Sequence, residues 1–77
     1  MQKKLTEREK KILYLVASGY SNNKIASILY FGVDTIKADM KSILKKLSAN
    51  HSAEAGGIAY RCGIFEDSLI NYFEGKI

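Results

Sequence analysis

Lys37, Lys41 and Lys45 recur at intervals of four. On a helix that spacing raises three ammonium groups along one face, and the chemistry they offer is attraction of a polyanion, not catalysis. At about 100° per residue, Asp34 and Ala38 share their face, whereas Val33, Ile36, Met40, Ile43, Leu44 and Leu47 form the opposite, apolar stripe. Thr35, Asp39 and Lys46 fall on one flank. The stripe predicts an anchored helix whose outer face is basic, and slim at Ala38.

Other chemistries are hard to assemble from these residues. Cys62 and His51 are each the single residue of their type. One cysteine cannot staple the fold, and no cluster of carboxylates stands ready to complete a metal site with them. Neither a nucleophile–base pair nor a phosphate-binding glycine loop is present, so the chain is read as no enzyme and is expected to need no cofactor. His51, in a polar break, reads as a solvated side chain. Cys62 reads as a buried small hydrophobe. The scattered tyrosines read as packing rims.

The charge is unevenly placed. The chain of 77 residues carries +4 overall, yet residues 1–51 hold ten Lys and Arg against four Asp and Glu, and residues 52–77 hold two against four. The front two thirds would attract a polyanion and the remainder would not. At 47% hydrophobic residues the composition is that of a globular domain, and the length allows one domain at most. The absence of proline favours helices over a turn-rich β fold. The lone cysteine points to a reducing cytoplasm. The N-terminus lacks a signal peptide's apolar run, and no apolar segment approaches the roughly 20 residues of a membrane span.

The elements that position the lysines can be read in order. Thr6 and Glu9 form a T-x-x-E capping box that opens a helix to Ser18, with Leu5 as a staple and Ile12, Leu13 and Val16 inward. Gly19 suits the left-handed position after its end. Ser21 caps a second helix, Asn22 to Leu29, with Ile25, Ile28 and Leu29 inward and small Ala26 where the next helix crosses. Tyr30, Phe31 and Gly32 make the turn into the lysine-bearing helix, Val33 to Leu47. A fourth helix spans Ser52 to Cys62, capped by Asn50 or Ser52 and ended by Gly63. Gly56 and Gly57 inside it each cost about 1 kcal/mol relative to Ala, which suggests that another helix approaches there. The tail 66–77 carries Leu69, Ile70, Tyr72 and Phe73 and is able to add one or two helical turns. It reads as extra core in preference to a partner-docking patch.

With these elements in place, Leu5 to Ile64 resembles the LuxR/GerE-type helix-turn-helix domain of bacterial transcription regulators. The family's L-T-x-R-E appears as Leu5, Thr6, Arg8 and Glu9, its S-N-x-x-I-A as Ser21, Asn22, Ile25 and Ala26, its T-V-K as Thr35, Ile36 and Lys37, and its K-L as Lys46 and Leu47. The resemblance implies an all-α, four-helix domain over residues 1–65 that binds double-stranded DNA, with the third helix in the major groove and the fourth as the usual dimer contact. It also implies base contacts from Lys37 and Ala38, joined by Lys41, and phosphate contacts from Thr35 and the start of the second helix.

The residues add their own reasons. Ser21 is first a cap, and its hydroxyl, with Asn22 and Asn23, lies at a helix N-terminus that suits an anion. Lys24, Lys45 and Lys46 are further candidates for phosphate. Gly56, Gly57 and Tyr60 are the candidate dimer surface. Several positions depart from the family: Asp39 stands where histidine is usual, Gly32 replaces a serine cap, Ser48 and Ala49 replace Gly-Val, and Ser52 replaces an arginine. Asp34 and Asp39 bring negative charge into the third helix, which is expected to weaken phosphate attraction.

The reading is therefore a sequence-specific regulator that acts as a dimer, with RNA polymerase or another regulator as further candidate partners. The alternative is a helix-turn-helix interaction module that pairs with a larger regulator and binds DNA weakly. The C-terminal region of a sigma factor shares the L-T-x-R-E start but fits Thr35-Ile36-Lys37 poorly. Met1 directly before the motif, with the tail, points to a stand-alone protein over the end of a longer one.

Overall fold

Thr6 opens the first helix as its spacing to Glu9 predicts. In the computed structural model, which describes residues 4–74, the Thr6 hydroxyl accepts from the Glu9 amide at 3.1 Å and the Glu9 carboxylate accepts from the Thr6 amide at 2.9 Å. Met1 and residues 75–77, which enter the readings above, lie outside the described residues. Helix α1 follows over Glu7–Ala17. Helix α2 covers Asn22–Leu29, capped by Ser21, whose hydroxyl accepts from the Lys24 amide at 3.2 Å. Helix α3 covers Val33–Leu47, and its cap, Gly32, offers no side-chain hydrogen bond. Helix α4 covers Ser52–Arg61 and α5 Asp67–Phe73.

Two expectations for α4 are corrected. Its cap is neither Asn50 nor Ser52 but His51, whose Nδ1 accepts from the Glu54 amide at 3.3 Å. Glu54 in turn accepts from the Asn50 amide at 2.7 Å, so the imidazole takes the place of a hydroxyl in a box-like exchange. Cys62 is exposed instead of buried. The helix stops one residue before it, and the apolar period that would have turned it inward ends with the helix.

The first four helices close in one way. A residue with positive φ follows each: Gly19 at 97°, Tyr30 at 61°, Ser48 at 54° and Gly63 at 71°. The next amide then reaches back to a carbonyl five residues earlier, Tyr20 to Leu15, Phe31 to Ala26, Ala49 to Leu44 and Ile64 to Ala59, at 2.9 to 3.1 Å. This satisfies carbonyls that a helix end leaves open. Glycine takes the left-handed backbone without steric cost, so Tyr30 and Ser48 hold it against their Cβ atoms.

The core has α1 at its centre, packed against α3 and α4, with α2 laid on α3. Ile12, Leu13, Leu15, Ile25, Ile36 and Ile43 are fully buried. Leu15 was not among the inward residues expected, and Val16 is only partly buried. A helix clamped between neighbours needs an apolar face wider than one stripe. The tail packs as extra core: Leu69 and Phe73 are buried, and the Phe73 ring stacks on Tyr14 at 5.5 Å while Phe65 meets Tyr14 edge-on at 5.4 Å. Stacked and edge-on pairs at such separations are favourable ring geometries. Among the described residues no helix is long and apolar enough to cross a membrane.

Candidate nucleic-acid interface

The stripe on α3 does what its period predicts. Ile36, Ile43 and Leu47 are buried and Val33, Met40 and Leu44 pack against them, which leaves Asp34, Lys37, Ala38, Lys41 and Lys45 exposed. Thr35 is half-buried at the edge of that face. At the start of α2, Ser21 and Lys24 are exposed and Asn22 is half-buried. The Ser21 hydroxyl already serves the Lys24 amide, so its first role is that of a cap.

Two flank residues have other partners. Lys46, a phosphate candidate by sequence, turns inward: its Nζ donates to Glu9 at 2.6 Å, and its side chain is 21% exposed. Burial pushes the Glu9 carboxyl up, but the Lys46 ammonium, the Thr6 amide and the Ser42 hydroxyl outweigh it and hold it below its ordinary value of 4.5. Glu9 thus caps α1 and ties the last turn of α3 to it. Asp39, expected as a negative charge beside the basic face, is buried against α1. Arg8 Nε stands 2.6 Å from its Oδ2 and Arg8 Nη2 donates to its Oδ1 at 3.1 Å. Its charge is balanced within the fold, and Asp34 is the acid left on the outer face.

Arg8 is the residue that sequence reasoning missed. It was visible as part of the L-T-x-R-E pattern, and Asp39 was visible as a departure. Their pairing depends on how α1 crosses α3, which neither local pattern encodes.

The candidate dimer residues divide. Gly56 is buried, and a Cβ there would meet the Ala17 Cβ at 3.4 Å, so the close approach expected at the paired glycines is made by α1 of the same chain. Gly57 is half-buried and Tyr60 is 70% exposed. Both line an open cavity between α1 and α4, with Val16 and Ala53.

The sequence matches known proteins. Residues 3–59 match the family described as bacterial regulatory proteins, luxR family. The response regulator proteins VraR of Staphylococcus aureus, Staphylococcus saprophyticus and Staphylococcus epidermidis are each 39% identical to this chain over 62 residues, 80% of its length. The chain spans 30% of the length of these relatives. A match that runs from the capping box through most of α4, over a structure with the expected helices in the expected order, leaves one assignment: the chain belongs to the luxR family of bacterial regulatory proteins and carries its helix-turn-helix domain.

Proposed function

We propose that the chain is a sequence-specific, double-stranded DNA-binding transcription regulator that reads the major groove with α3. The observation that supports this most is the outer face of α3. Lys37, Ala38, Lys41 and Lys45 are exposed there together, while the apolar stripe and the Arg8–Asp39 pair anchor the opposite side and flank. In this reading Lys37, Ala38 and Lys41 meet base edges. Ser21, Asn22, Lys24, Thr35 and Lys45 meet phosphates and set the register. Lysine donates well to guanine O6 and N7, so a G in each half-site is expected. Lys46 takes no part, because Glu9 holds its ammonium.

Two copies would pair through the exposed side of α4, at Gly57 and Tyr60, and place their α3 helices in major grooves about one turn apart. The setting is the cytoplasm, where such a protein meets its promoters. The rival reading, an interaction module that barely binds DNA, draws on the acids of α3 and on the apolar, acidic tail, whose Leu69 and Phe73 are buried in the core. It retains Asp34 but loses Asp39, whose charge Arg8 balances.

Fluorescence anisotropy on a promoter library at two salt concentrations tests the proposal. Affinity should fall steeply with salt, as counterions released from phosphates demand, and Lys37→Ala should relax the base preference. If no duplex binds above background at low salt, the reading fails. A stable protein complex formed by a chain without DNA affinity would replace it with the rival.

A further inference from the structure

Among the described residues, the large hydrophobic side chains left exposed are Tyr30, Phe31, Tyr60 and Tyr72. Three of these four line one open groove of about 450 Å³, where the end of α2 meets α1 and α5. Half-buried Ile28 and Leu29 also line it. The charged residues of its lining are Arg8 and Lys11, and no acid is among them. Each cation lies over a ring: the Arg8 guanidinium 5.3 Å from the centre of Phe31, and the Lys11 ammonium 4.0 Å from the centre of Tyr72.

The backbone gives an independent reason to look here. Tyr30 is 94% exposed and occupies one of the four left-handed helix ends. Glycine fills two of those ends and would fill this one with less strain. A side chain that packs against almost nothing and holds an unfavourable φ does nothing for the fold. What it does is present an aromatic ring to solvent at the rim of an apolar groove. Strain that the fold does not require points toward function.

We propose that this groove docks a partner protein through an acidic segment that carries bulky apolar side chains. The apolar side chains would enter between Tyr30, Phe31 and Tyr72 over Ile28 and Leu29, and the carboxylates would face Lys11 first, with Arg8, whose charge Asp39 already balances, beside it. Such pairing of aromatic anchors with a rim of complementary charge is how compact interfaces gain both affinity and orientation. The groove shares no residue with the outer face of α3 or with Ser21, Asn22 and Lys24, so a partner seated there leaves the proposed DNA face open. The family match ends at residue 59, and Tyr72 lies beyond it on α5, so one wall comes from outside the matched region. A duplex is the poorer occupant. Most of the lining is apolar, and a phosphate backbone, which carries no bulky apolar groups, would bring nothing apolar to Ile28, Leu29, Phe31 and Tyr72 in the groove.

The test is an amide-shift titration of the isotopically labelled chain with a synthetic peptide that mixes Leu and Phe with Asp and Glu. The controls are its charge-reversed version, with Lys at every acidic position, and a short duplex. The acidic peptide should shift Arg8, Lys11, Tyr72 and the segment from Ser27 to Phe31, and the charge-reversed peptide should not. Tyr30→Gly, which relieves the backbone, should leave the melting temperature unchanged or higher while weakening the peptide about tenfold or more. The proposal is overturned if the acidic peptide produces no shifts in the groove, if the charge-reversed peptide binds as well, or if Tyr30→Gly binds equally. It is also overturned if the duplex shifts the same residues, which would assign the groove to nucleic acid.

Discussion

Arg8 and Asp39, 31 residues apart in sequence, meet as an ion pair that joins the first turn of α1 to the middle of α3. The Asp39 side chain is 13% exposed and that of Arg8 48%. The pair is thus anchored at its acidic end and open at its basic end, and solvent screens part of its strength.

Removing the arginine should hurt more than neutralising the acid. Arg8→Met leaves a largely buried carboxylate without its cation and should cost about 1 to 3 kcal/mol in urea unfolding. Asp39→Asn keeps the shape and should cost about 1 kcal/mol or less, as befits a half-exposed pair. The double variant should be more stable than the sum of the two losses predicts. Strict additivity would show that the two residues do not act on each other.

Glu9 makes the fold sensitive to acid. Its folded pKa lies below its ordinary value of 4.5, so in that range the unfolded chain binds more protons than the folded one. The stability it contributes is complete above that value and is lost as pH falls through the folded pKa. Urea midpoints measured from neutral pH downward should drop most steeply below about pH 5. Glu9→Gln should start from lower stability and show a shallower acid slope. An unchanged slope would place the acid sensitivity elsewhere.

The outer face of α3 should respond to charge in opposite directions. Lys41→Ala should weaken duplex binding, and if it loses a phosphate contact the slope of log affinity against log salt should become shallower by about one unit. If Lys41 reads a base, discrimination among duplexes should fall instead, by about 1 to 3 kcal/mol at one position. Asp34→Asn should tighten binding to most duplexes. Competition anisotropy over a salt series separates these outcomes, and a weaker Asp34→Asn variant would mean that Asp34 itself accepts from a base.

The two glycines of α4 should part company. A Cβ at Gly57 meets the flexible end of Arg61 at 3.6 Å, so Gly57→Ala should stabilise the chain by about 0.5 to 1 kcal/mol through helix propensity. At Gly56 the same Cβ meets Ala17 at 3.4 Å, so alanine just fits, and Gly56→Val should force α1 and α4 apart and destabilise the fold. Thermal melts of Gly57→Ala, Gly56→Ala and Gly56→Val would rank them, and a stable Gly56→Val chain would contradict the packing described.

Local signals carried most of the fold. The Thr6–Glu9 box, the Ser21 cap and the apolar period of α3 each lie within a few residues of what they determine, and α2 and α3 run over the spans their sequences predict. What was not legible depends on crossings between helices. The same-chain contact of Gly56 with Ala17, the inward turn of Lys46 and the pairing of Asp39 with Arg8 require knowing which face of α1 meets which neighbour. His51 escaped notice because imidazole is an uncommon cap, and Cys62 because its helix ends a residue early. The exposed lysine face was legible because it needs only a period and an anchor.

The first turn of α1 holds more than its own helix. Thr6, Arg8 and Glu9 together cap α1, grip the middle of α3 and grip its last turn. Helix ends usually fray first, and their amides exchange with solvent long before the core opens. Here that end cannot loosen without releasing α3 at two points. The amides of Thr6, Glu9 and Lys10, which have acceptors in this turn, should exchange on the slow schedule of α3, and a chain clipped or chemically blocked near Thr6 would lose the set of its lysine face before it lost its helices.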